Sequence, residues 1–225
     1  MNQSRVPVIA IDGPTASGKG TVAQRVAQQL GWHYLDSGAL YRIVALAARQ
    51  ADISWQDEAA LAAMAAGLDI RFDDGDIFLN GDNVSDAVRS EEMSQGASEV
   101  AVHQQVRRVL LDLQHAFRRP PGLVADGRDM GSVVFADAQT KVFLTASSAV
   151  RAERRYKQLI SKGNHANLAQ ILADIEARNA RDMQRSAAPL RQCADATLLD
   201  TSHLTIDQAV AAVLQCHREK QPQTW

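Results

Sequence analysis

One stretch, Gly13–Thr21 (GPTASGKGT), constrains this chain more than any other part of it, because it joins a strand pattern to a helix pattern. An apolar run from Val6 to Ile11 precedes it, and residues at helical spacing follow from Lys19. In a glycine-spaced turn of this kind, backbone N–H groups surround phosphate oxygens, and the start of the helix adds partial positive charge. We therefore predict a strand, a phosphate-binding loop and a helix, within an α/β fold that has a parallel sheet core and flanking helices.

Several side chains of this loop suit the phosphates of a nucleoside triphosphate. Lys19 can reach the outer phosphates, while the hydroxyl of Thr21 or of Ser17 can contact phosphate or Mg²⁺. Gly20 stands directly after the lysine, where the strict form of the motif has Ser or Thr. The residues predicted to bind the nucleotide are Gly13, Pro14, Thr15, Ala16, Ser17, Gly18, Lys19, Gly20 and Thr21. The alternative is an ordinary glycine-rich turn.

Length and composition limit the classes of protein to consider. With 225 residues, of which 46% are hydrophobic, the chain can form one α/β domain with an insertion or two small domains. Its formal net charge of −2 argues against binding to nucleic acid polymers or anionic membranes. Cys193 and Cys216 lack C-x-x-C spacing, so neither a disulfide framework nor a zinc site is indicated. We expect a monomeric protein of the reducing cytoplasm, without a signal peptide or a membrane span.

A polar loop at residues 36–38 follows the second predicted strand, Trp32–Leu35. A helix is predicted from about Ala39 to Gln50, with Tyr41 and Arg42 on its first turn. The positive end of the helix dipole disfavours an arginine at this position. The pattern therefore allows two interpretations of Arg42, an anionic binding partner or a solvated surface position.

Residues 67–89 are predicted to form a small antiparallel β insertion. Short alternating runs around Ile70 and Ile77 are separated by two turn signals, at residues 73–76 and 80–81. The segments on either side, 1–66 and 90–225, are predicted to form the core.

The apolar spacing from about Ser90 to Phe117 predicts one continuous helix. Its buried stripe includes Val102, Ser98 extends that stripe, and Arg107 lies beside it.

An apolar strand at Leu123–Asp126 ends in an acid. In phosphate-loop folds such an aspartate lies near Mg²⁺ or its waters, so Asp126 is a candidate metal residue. The segment Gly127–Gly131 (GRDMG) follows at the carboxyl end of the strand, where ligands bind in open parallel sheets.

Basic residues that include Arg154 and Arg155 follow the apolar strand Lys141–Thr145. Residues 151–165 are predicted to form a short mobile lid that carries an arginine to a transferring phosphoryl group. A solvated helix face is the alternative.

The clearest helical periodicity begins near Leu168. The apolar residues of its stripe are Leu168, Ile171, Leu172 and Ile175, and the next positions on the same face are Arg178, Asp182 and Arg185. Charges that continue a buried stripe must either leave the core or enter a polar cavity. The pattern favours a ligand cleft over the alternative of a salt-bridged helix end.

Two sets of residues together indicate phosphoryl transfer. The loop accounts for a nucleoside triphosphate, and four arginines are available for a second anion: Arg42, Arg128, Arg178 and Arg185. An ATPase or a nucleotide switch would not need the second set, and the Asn-Lys-x-Asp and Asp-x-x-Gly motifs of GTPases are absent from the sequence. We expect an acceptor that carries its own phosphate.

Four motifs make the chain resemble the bacterial cytidylate kinases, which are nucleoside monophosphate (NMP) kinases. They are the loop ending in Gly18-Lys19-Gly20-Thr21, the segment Asp36–Arg42 (DSGALYR), the segment Asp126–Gly131 (DGRDMG), and Arg178…Asp182…Arg185 followed by Ala188-Pro189-Leu190. The resemblance runs from about Val6 to Cys216 and implies the P-loop NTPase fold, with the β insertion as the NMP-binding domain. Asn179 stands where that family usually has an acidic residue.

The resemblance also implies the roles of individual residues. Lys19 and Thr21 would bind ATP and Mg²⁺. The residues implied to hold the CMP phosphate are Ser37, Arg42 and Arg128. Those implied to contact the cytosine edge are Ser98, Arg107 and Asp129, and those near the ribose, base or phosphates are Arg178, Asp182 and Arg185. Tyr41 is included in the acceptor site, and the predicted catalytic residues are Lys19, Arg128, Arg154 and Arg155.

We therefore expect ATP-dependent phosphorylation of CMP and dCMP to CDP and dCDP. One alternative is a phosphate-loop kinase for another small acceptor, such as UMP, AMP or dTMP. The other is a nucleotide-binding regulator without transfer activity.

Overall fold

The structure is a computed structural model that describes residues 6–73, 76–161, 163 and 165–221. The chain divides into two compact units. The first unit comprises Met1–Leu35 and Phe117–Trp225, and the second is the continuous segment Asp36–Ala116.

Strands and helices alternate along most of the described chain. The strands are β1 (Val8–Asp12), β2 (His33–Asp36), β3 (Ile70–Asp73), β4 (Asp76–Leu79), β5 (Asp82–Asn83), β6 (Leu123–Gly127), β7 (Thr140–Thr145) and β8 (Thr197–Asp200). The α-helices are α1 (Lys19–Leu30), α2 (Ser37–Gln50), α3 (Glu58–Ala65), α4 (Ser85–Val88), α5 (Glu91–Val100), α6 (Gln104–Ala116), α7 (Ser148–Ser161), α8 (Leu168–Gln184) and α9 (Ile206–Lys220). A π-helical turn spans Met130–Val134.

A five-stranded sheet has the order β2-β6-β1-β7-β8. Strand β1 pairs in parallel with β6 on one side and β7 on the other, and β7 pairs in parallel with β8. Every residue of β1 is buried, as expected for a central parallel strand covered on both faces. The predicted α/β fold with a parallel sheet core is therefore confirmed.

Helices α1 and α9 bury apolar stripes in one cluster with the central strands. Val22 and Val26 of α1 meet Val210 and Val213 of α9 in this cluster, with Ile11 of β1 on the sheet. Their spacing of three or four residues places each pair on one helical face, and burial of that face stabilises the helix–sheet layer. This layer fixes the start of α1 relative to the carboxyl end of β1.

The second unit contains a three-stranded antiparallel sheet in the order β3-β4-β5. Ile70 pairs with Leu79 and Phe72 with Ile77, so the predicted antiparallel pairing is confirmed. Residues 74 and 75 of the predicted turn lie outside the described residues. The predicted insertion, 67–89, encloses this sheet and lies inside the longer unit that runs from Asp36 to Ala116. Its boundaries remain a proposal.

The prediction of one helix from Ser90 to Phe117 is wrong. The segment forms α5 and α6 with a break between them, and Val102, predicted to be buried, is exposed at the break. His103 Nε2 donates to the carbonyl oxygen of Trp55 at 2.8 Å. This tertiary contact holds the turn between the two helices.

Helix α2 begins two residues earlier than predicted. The Asp36 carboxylate accepts a hydrogen bond from the Ala39 amide at 3.1 Å and thereby caps the helix, which starts at Ser37. Arg42 consequently lies in the second turn, where the dipole argument for an anionic partner is weaker.

None of the helices in the described ranges has the length and apolar character needed to span a bilayer.

Candidate active site

The loop between β1 and α1 adopts the conformation that its glycines predict. A Cβ on Gly13 would collide with the carbonyl oxygen of Leu144 in β7, so the close approach of these two backbones requires glycine. Gly18 has φ 90° and caps α1 in the left-handed region, which other residues adopt only with strain. These two glycines determine how the loop leaves the sheet and enters the helix.

Polar groups of this phosphate loop are held close to its backbone. Lys19 Nζ donates to the carbonyl oxygen of Pro14 at 3.4 Å. The hydroxyl of Ser17 is buried and has no hydrogen-bond partner among the described residues. Thr21 is exposed on the first turn of α1. An unpaired buried hydroxyl is costly, and in a loop of this kind a ligand oxygen would satisfy it.

Asp126 lies at the end of β6, buried and close to the start of α1. Its Oδ2 accepts a 2.5 Å hydrogen bond from the hydroxyl of Tyr34 in β2. A Cβ on Gly20 would lie 3.6 Å from both Asp126 Oδ2 and the Tyr34 hydroxyl. The structure thus places the predicted metal residue beside the phosphate loop and adds Tyr34, which the sequence analysis did not single out.

A cavity of about 510 Å³ opens next to the phosphate loop. It is lined by loop residues, by α7, and by the segment between β8 and α9; the lining residues are Ala16, Ser17, Gly18, Thr21, Val22, Arg154, Arg155, Gln158, Thr201, Leu204, Thr205, Ile206 and Ala209. The volume falls in the range of small-molecule sites, and the lining is largely apolar with a few convergent polar groups.

Arg154 ties the phosphate loop to the segment after β8. Its guanidinium donates to the carbonyl oxygen of Ser17 at 3.1 Å and to the hydroxyl and carbonyl oxygens of Thr201 at 3.1 and 2.6 Å. Arg155 donates to Gln158 one turn further along α7. Both arginines belong to the continuous helix α7, and residues 162 and 164 of the predicted lid lie outside the described residues. Their catalytic roles stay predictions.

Arg151 is a buried residue of α7 that the site prediction omitted. It donates to the carbonyl oxygen of Thr15 in the phosphate loop at 3.0 Å and to Asn179 Oδ1 in α8 at 3.1 Å. Burial lowers its pKa, the charge of Arg128 lowers it further, and Glu176 opposes both. Arg151 therefore links the phosphate loop to α8 through neutral acceptors.

Asp12 is a second buried residue that the site prediction omitted. It is the last residue of β1, 5% exposed, and its carboxylate accepts 2.8 Å hydrogen bonds from the amides of Met130 and Gly131. Burial raises its pKa to about 6, against the lowering effect of these two bonds.

Two ion pairs join the segment after β6 to the end of α8, one to Asp182 within the helix and one to Arg185 directly after it. Arg128 Nε donates to Asp182 Oδ2 at 2.8 Å, and Arg185 lies 3.7 Å from Asp129 Oδ1, with both partners of each pair largely buried. Burial alone would raise the pKa of Asp182, but the charges of Arg128 and Arg178 outweigh it and lower that pKa. The predicted charged residues of this region thus form one network.

The predicted stripe of α8 needs two corrections. Leu168 is 47% exposed, and Arg185 is not within the helix but caps its carboxyl end. Arg185 Nε donates to the carbonyl oxygen of Ala188 at 2.8 Å, and the Leu190 amide donates to the carbonyl oxygen of Asp182. The chain folds back after α8 and positions Arg185 by these bonds instead of by helical spacing.

The second unit contains the remaining predicted acceptor residues. Ser37 donates to Gln114 Oε1 at 2.7 Å, and Gln114 is held by the carbonyl oxygen of Leu110. Arg42 lies 3.6 Å from the carboxylate of Asp36.

Two more predicted acceptor residues of this unit contact each other. The guanidinium of Arg107 lies 5.7 Å from the centroid of the Tyr41 ring, within range of a cation–π interaction. The hydroxyl of Ser98 in α5 is buried and has no hydrogen-bond partner in the part of the chain that the structure describes.

Among the described residues, no group of three or more His, Cys, Asp or Glu side chains is arranged to hold a metal ion. The two predicted metal residues, Asp126 and Thr21, instead offer one carboxylate and one hydroxyl close to the phosphate loop. This donor set suits Mg²⁺ bound chiefly through substrate phosphates and water.

Comparison with known proteins identifies relatives over nearly the whole chain. The family model described as cytidylate kinase matches residues 9–219. A cytidylate kinase of Chromobacterium violaceum is 60% identical over 96% of this chain and 97% of that protein, and one of Cupriavidus necator is 60% identical over 93% and 95%. A solved structure of an uncharacterized protein from Eubacterium ventriosum, 11% identical, covers 96% of this chain and 100% of its own with a TM-score of 0.52, a likeness of fold alone.

Proposed function

This chain belongs to the cytidylate kinase family, and we propose that it transfers the terminal phosphoryl group of ATP to CMP or dCMP, forming ADP and CDP or dCDP. The observation that carries the proposal is the combination, within the first unit, of the phosphate loop with the ion pairs Arg128–Asp182 and Asp129–Arg185. The loop suits a triphosphate donor. The charged network suits an acceptor that bears both a phosphate and hydrogen-bonding groups.

The donor phosphates are proposed to bind the loop amides from Gly13 to Thr21. Lys19 would neutralise the outer phosphates, and the unpaired hydroxyl of Ser17 would donate to a phosphate oxygen. Thr21 and Asp126 would hold Mg²⁺, directly or through water. When bound, this ion would supply positive charge that offsets the negative charge of the phosphates.

The nucleoside of ATP is proposed to occupy the cavity beside the loop. The volume of about 510 Å³ is sufficient for a nucleoside, and its apolar lining suits the faces of a purine ring. Arg155 would lie over this ligand, while Arg154 keeps the loop and the Thr201 segment together.

The acceptor phosphate is proposed to bind Ser37, Arg42 and Arg128. Arginine suits this role because its planar guanidinium donates two parallel hydrogen bonds to phosphate oxygens. Ser37 now donates to Gln114, so its hydroxyl would rotate to donate to the phosphate.

The cytosine is proposed to be recognised by Ser98, Arg107 and Asp129, and Tyr41 is assigned to the same acceptor. A buried acceptor opposite the exocyclic amine would reject the carbonyl of uracil strongly. The ribose and the adjacent groups are assigned to Arg178, Asp182 and Arg185.

Transfer itself requires alignment and charge more than covalent chemistry. The acceptor phosphate oxygen attacks the terminal phosphorus of ATP in line with the departing ADP oxygen. Lys19, Arg128 and the α7 arginines Arg154 and Arg155 are proposed to stabilise the negative charge on the moving phosphoryl group. Each such contact is worth about a hundredfold or more in rate in comparable sites.

An acceptor panel tests the proposal. Purified protein with ATP and Mg²⁺ is expected to phosphorylate CMP and dCMP much faster than UMP, AMP or dTMP. Comparable rates with all acceptors would overturn the specificity. Nucleotide binding without product for any acceptor would instead indicate a regulator.

A matched pair of variants tests the base assignment. Asp129→Asn is expected to reduce the preference for CMP over UMP, because an amide can no longer act only as an acceptor. Asp137→Asn is the control, since Asp137 pairs with Arg118, which has no assigned role. Equal effects of the two substitutions would refute the assignment.

We also propose that the enzyme acts as a monomer and without a nucleic acid polymer. The net charge of −2 supports the second point. Light scattering at working concentration measures the first.

A further inference from the structure

Asp12 has no role in the proposed function, although its carboxylate is buried beside the residues that do. It ends β1, immediately before the phosphate loop, and lies opposite Gly127 of β6 and Phe143 of β7 in the sheet. Strand β1 is fixed from both sides by these pairings. The side chain of Asp12 therefore projects from a strand that has a paired neighbour on each side.

The partners of Asp12 belong to the segment that carries Arg128 and Asp129. The amides of Met130 and Gly131, which donate hydrogen bonds to its carboxylate, are at the start of the π-helical turn. Asp129, at the position before this turn, makes no side-chain cap of its own. Amides at a helix start have no partner inside the helix, so a carboxylate from another element stabilises them.

Side-chain ion pairs to Asp182 and Arg185 also hold the segment, whereas the bonds to Asp12 hold its backbone, at the amides of Met130 and Gly131. After Gly127 the chain leaves β6, and Arg128 and Asp129 continue to the turn. At the far end of this segment, the hydrogen bonds from two backbone amides to Asp12 anchor the backbone. Shifts of a few tenths of an ångström there would move the Arg128 guanidinium and the Asp129 carboxylate directly.

We propose that Asp12 is a positioning residue for the acceptor. Its carboxylate accepts hydrogen bonds from the amides of Met130 and Gly131 and thereby holds Arg128 and Asp129 in the geometry that binds CMP. The inference rests on the proposed function for the identity of the acceptor. The donor loop depends less on this carboxylate, because hydrogen bonds to β6 and β7 already fix β1.

Protonation weakens the link, since the protonated oxygen is a poor acceptor. The charged and titratable groups around Asp12 are Arg128, Asp129, Lys141 and Cys193. Lys141 is paired with Asp195 at 2.7 Å, and burial raises the pKa of the Cys193 thiol, with the charge of Asp12 adding to the shift. With the pKa of Asp12 at about 6, the link weakens as the pH falls through 6.

Asp12→Asn is the test, because the amide can accept one of the two backbone N–H groups but not both. We expect the KM for CMP to rise about tenfold or more, while the KM for ATP changes by less than about threefold. The control Asp137→Asn removes a carboxylate that pairs with Arg118 and should change neither value.

Amide hydrogen exchange, measured by NMR without nucleotide, gives a readout that is independent of activity. In the unsubstituted protein the Met130 and Gly131 amides should be protected at pH 7 and lose protection below pH 6, after correction for intrinsic exchange. In Asp12→Asn at least one amide should exchange about tenfold faster, without the pH step.

The outcomes separate the two proposals. Normal protection and an unchanged KM for CMP in Asp12→Asn would overturn the positioning role. So would parallel rises of both KM values, which indicate general loosening of the site. An unsubstituted protein that phosphorylates no CMP would overturn the proposed function, while the exchange result would still decide whether Asp12 holds the segment.

Discussion

Two buried hydroxyl groups, those of Ser17 and Ser98, have no hydrogen-bond partner among the described residues. An unsatisfied buried hydroxyl costs about 1–3 kcal/mol of folding free energy. Both residues are assigned to nucleotide binding, Ser17 to the donor and Ser98 to the acceptor. A ligand that accepts from or donates to these groups would recover the cost only in the complex, and this favours binding.

Ser98→Ala should separate stability from binding. Removal of the unpaired hydroxyl should leave the free energy of unfolding unchanged or raise it by up to about 1 kcal/mol. The KM for CMP should rise about tenfold or more, because a hydrogen bond to the base is lost. Urea denaturation and steady-state kinetics measure the two effects.

Ser85→Ala is the matched control for Ser98→Ala. The Ser85 hydroxyl is also buried, but it accepts from the Ile77 amide at 2.9 Å and donates to Asp76 at 3.0 Å. Its loss should destabilise the protein by about 1–3 kcal/mol and leave the KM for CMP unchanged. A destabilised Ser98→Ala would show that its hydroxyl has a structural partner.

Asn179→Asp should stabilise the protein, because Arg151 is buried and the acceptors described for it are neutral. A carboxylate about 3.1 Å from its guanidinium would give a charge-assisted hydrogen bond, worth roughly 1 kcal/mol more than the present one. The same charge lies near the phosphate loop and should raise the KM for ATP a few-fold. Chemical denaturation at pH 7 measures the first effect, and a lower stability than that of Asn179→Ala would contradict it.

Asp12 and Arg151 show where residue-level prediction from the sequence stops. The phosphate loop has a glycine spacing that indicates phosphate chemistry, and the Asp126–Gly131 segment stands at the carboxyl end of a strand and matches a motif of the family. Asp12, by contrast, is the last residue of an apolar strand, and Arg151 belongs to a run of basic residues typical of a solvated helix. Their importance comes from hydrogen bonds to residues far away in the sequence, which no local pattern contains.

At the scale of elements, the junction of β1, the phosphate loop and α1 depends on close contact between backbones. Gly13→Ala should lower the free energy of unfolding by about 3 kcal/mol or more, because the added Cβ collides with the Leu144 carbonyl of β7. ATP affinity should fall in parallel. Thermal unfolding and equilibrium nucleotide binding check both effects.

Gly67→Ala is the control for this substitution. A Cβ there would meet its nearest neighbour, the Met64 carbonyl oxygen, at an ordinary 3.7 Å. The change in stability should stay within about 1 kcal/mol, and ATP binding should not change. Equal losses in both variants would refute the role assigned to the close approach at Gly13.

Elements were predictable where periodicity and capping agree with the tertiary structure. The strands around the phosphate loop and the antiparallel pairing of β3 with β4 follow from local patterns. The division of Ser90–Phe117 into α5 and α6 does not, because no Gly or Pro marks the break. The contact between His103 and Trp55 that holds the break joins residues far apart in the sequence.

At the scale of the whole molecule, two buried titratable groups give stability opposite dependences on pH. The folded pKa of Asp12 is raised to about 6, so the folded state retains a proton that the unfolded state releases near pH 4. The contribution of this group to the free energy of unfolding is therefore largest at low pH. It falls by roughly 3 kcal/mol as the pH rises from about 4 to about 6. Burial lowers the pKa of His217, so its effect is a loss of stability as the pH falls below about 6.5.

Single variants should resolve these two contributions. Asp12→Asn should remove the loss of stability between pH 4 and 6. His217→Asn, whose amide can replace Nδ1 in the 2.8 Å contact with Thr140, should reduce the loss between pH 7 and 5. Urea denaturation at each pH gives the free energies. A pH profile parallel to that of the unsubstituted protein would contradict the assignment for either variant.

The position of β1 at the centre of the sheet has a consequence for synthesis on the ribosome. Val8–Asp12 emerges before its neighbours Leu123–Gly127 and Thr140–Thr145, which are translated only after the whole segment Asp36–Ala116. At roughly 5–20 residues per second, the apolar strand remains without its partners for on the order of ten seconds. The whole of the continuous second unit is synthesised during this interval. The nascent β1 strand therefore stays exposed, without its sheet partners, throughout this interval.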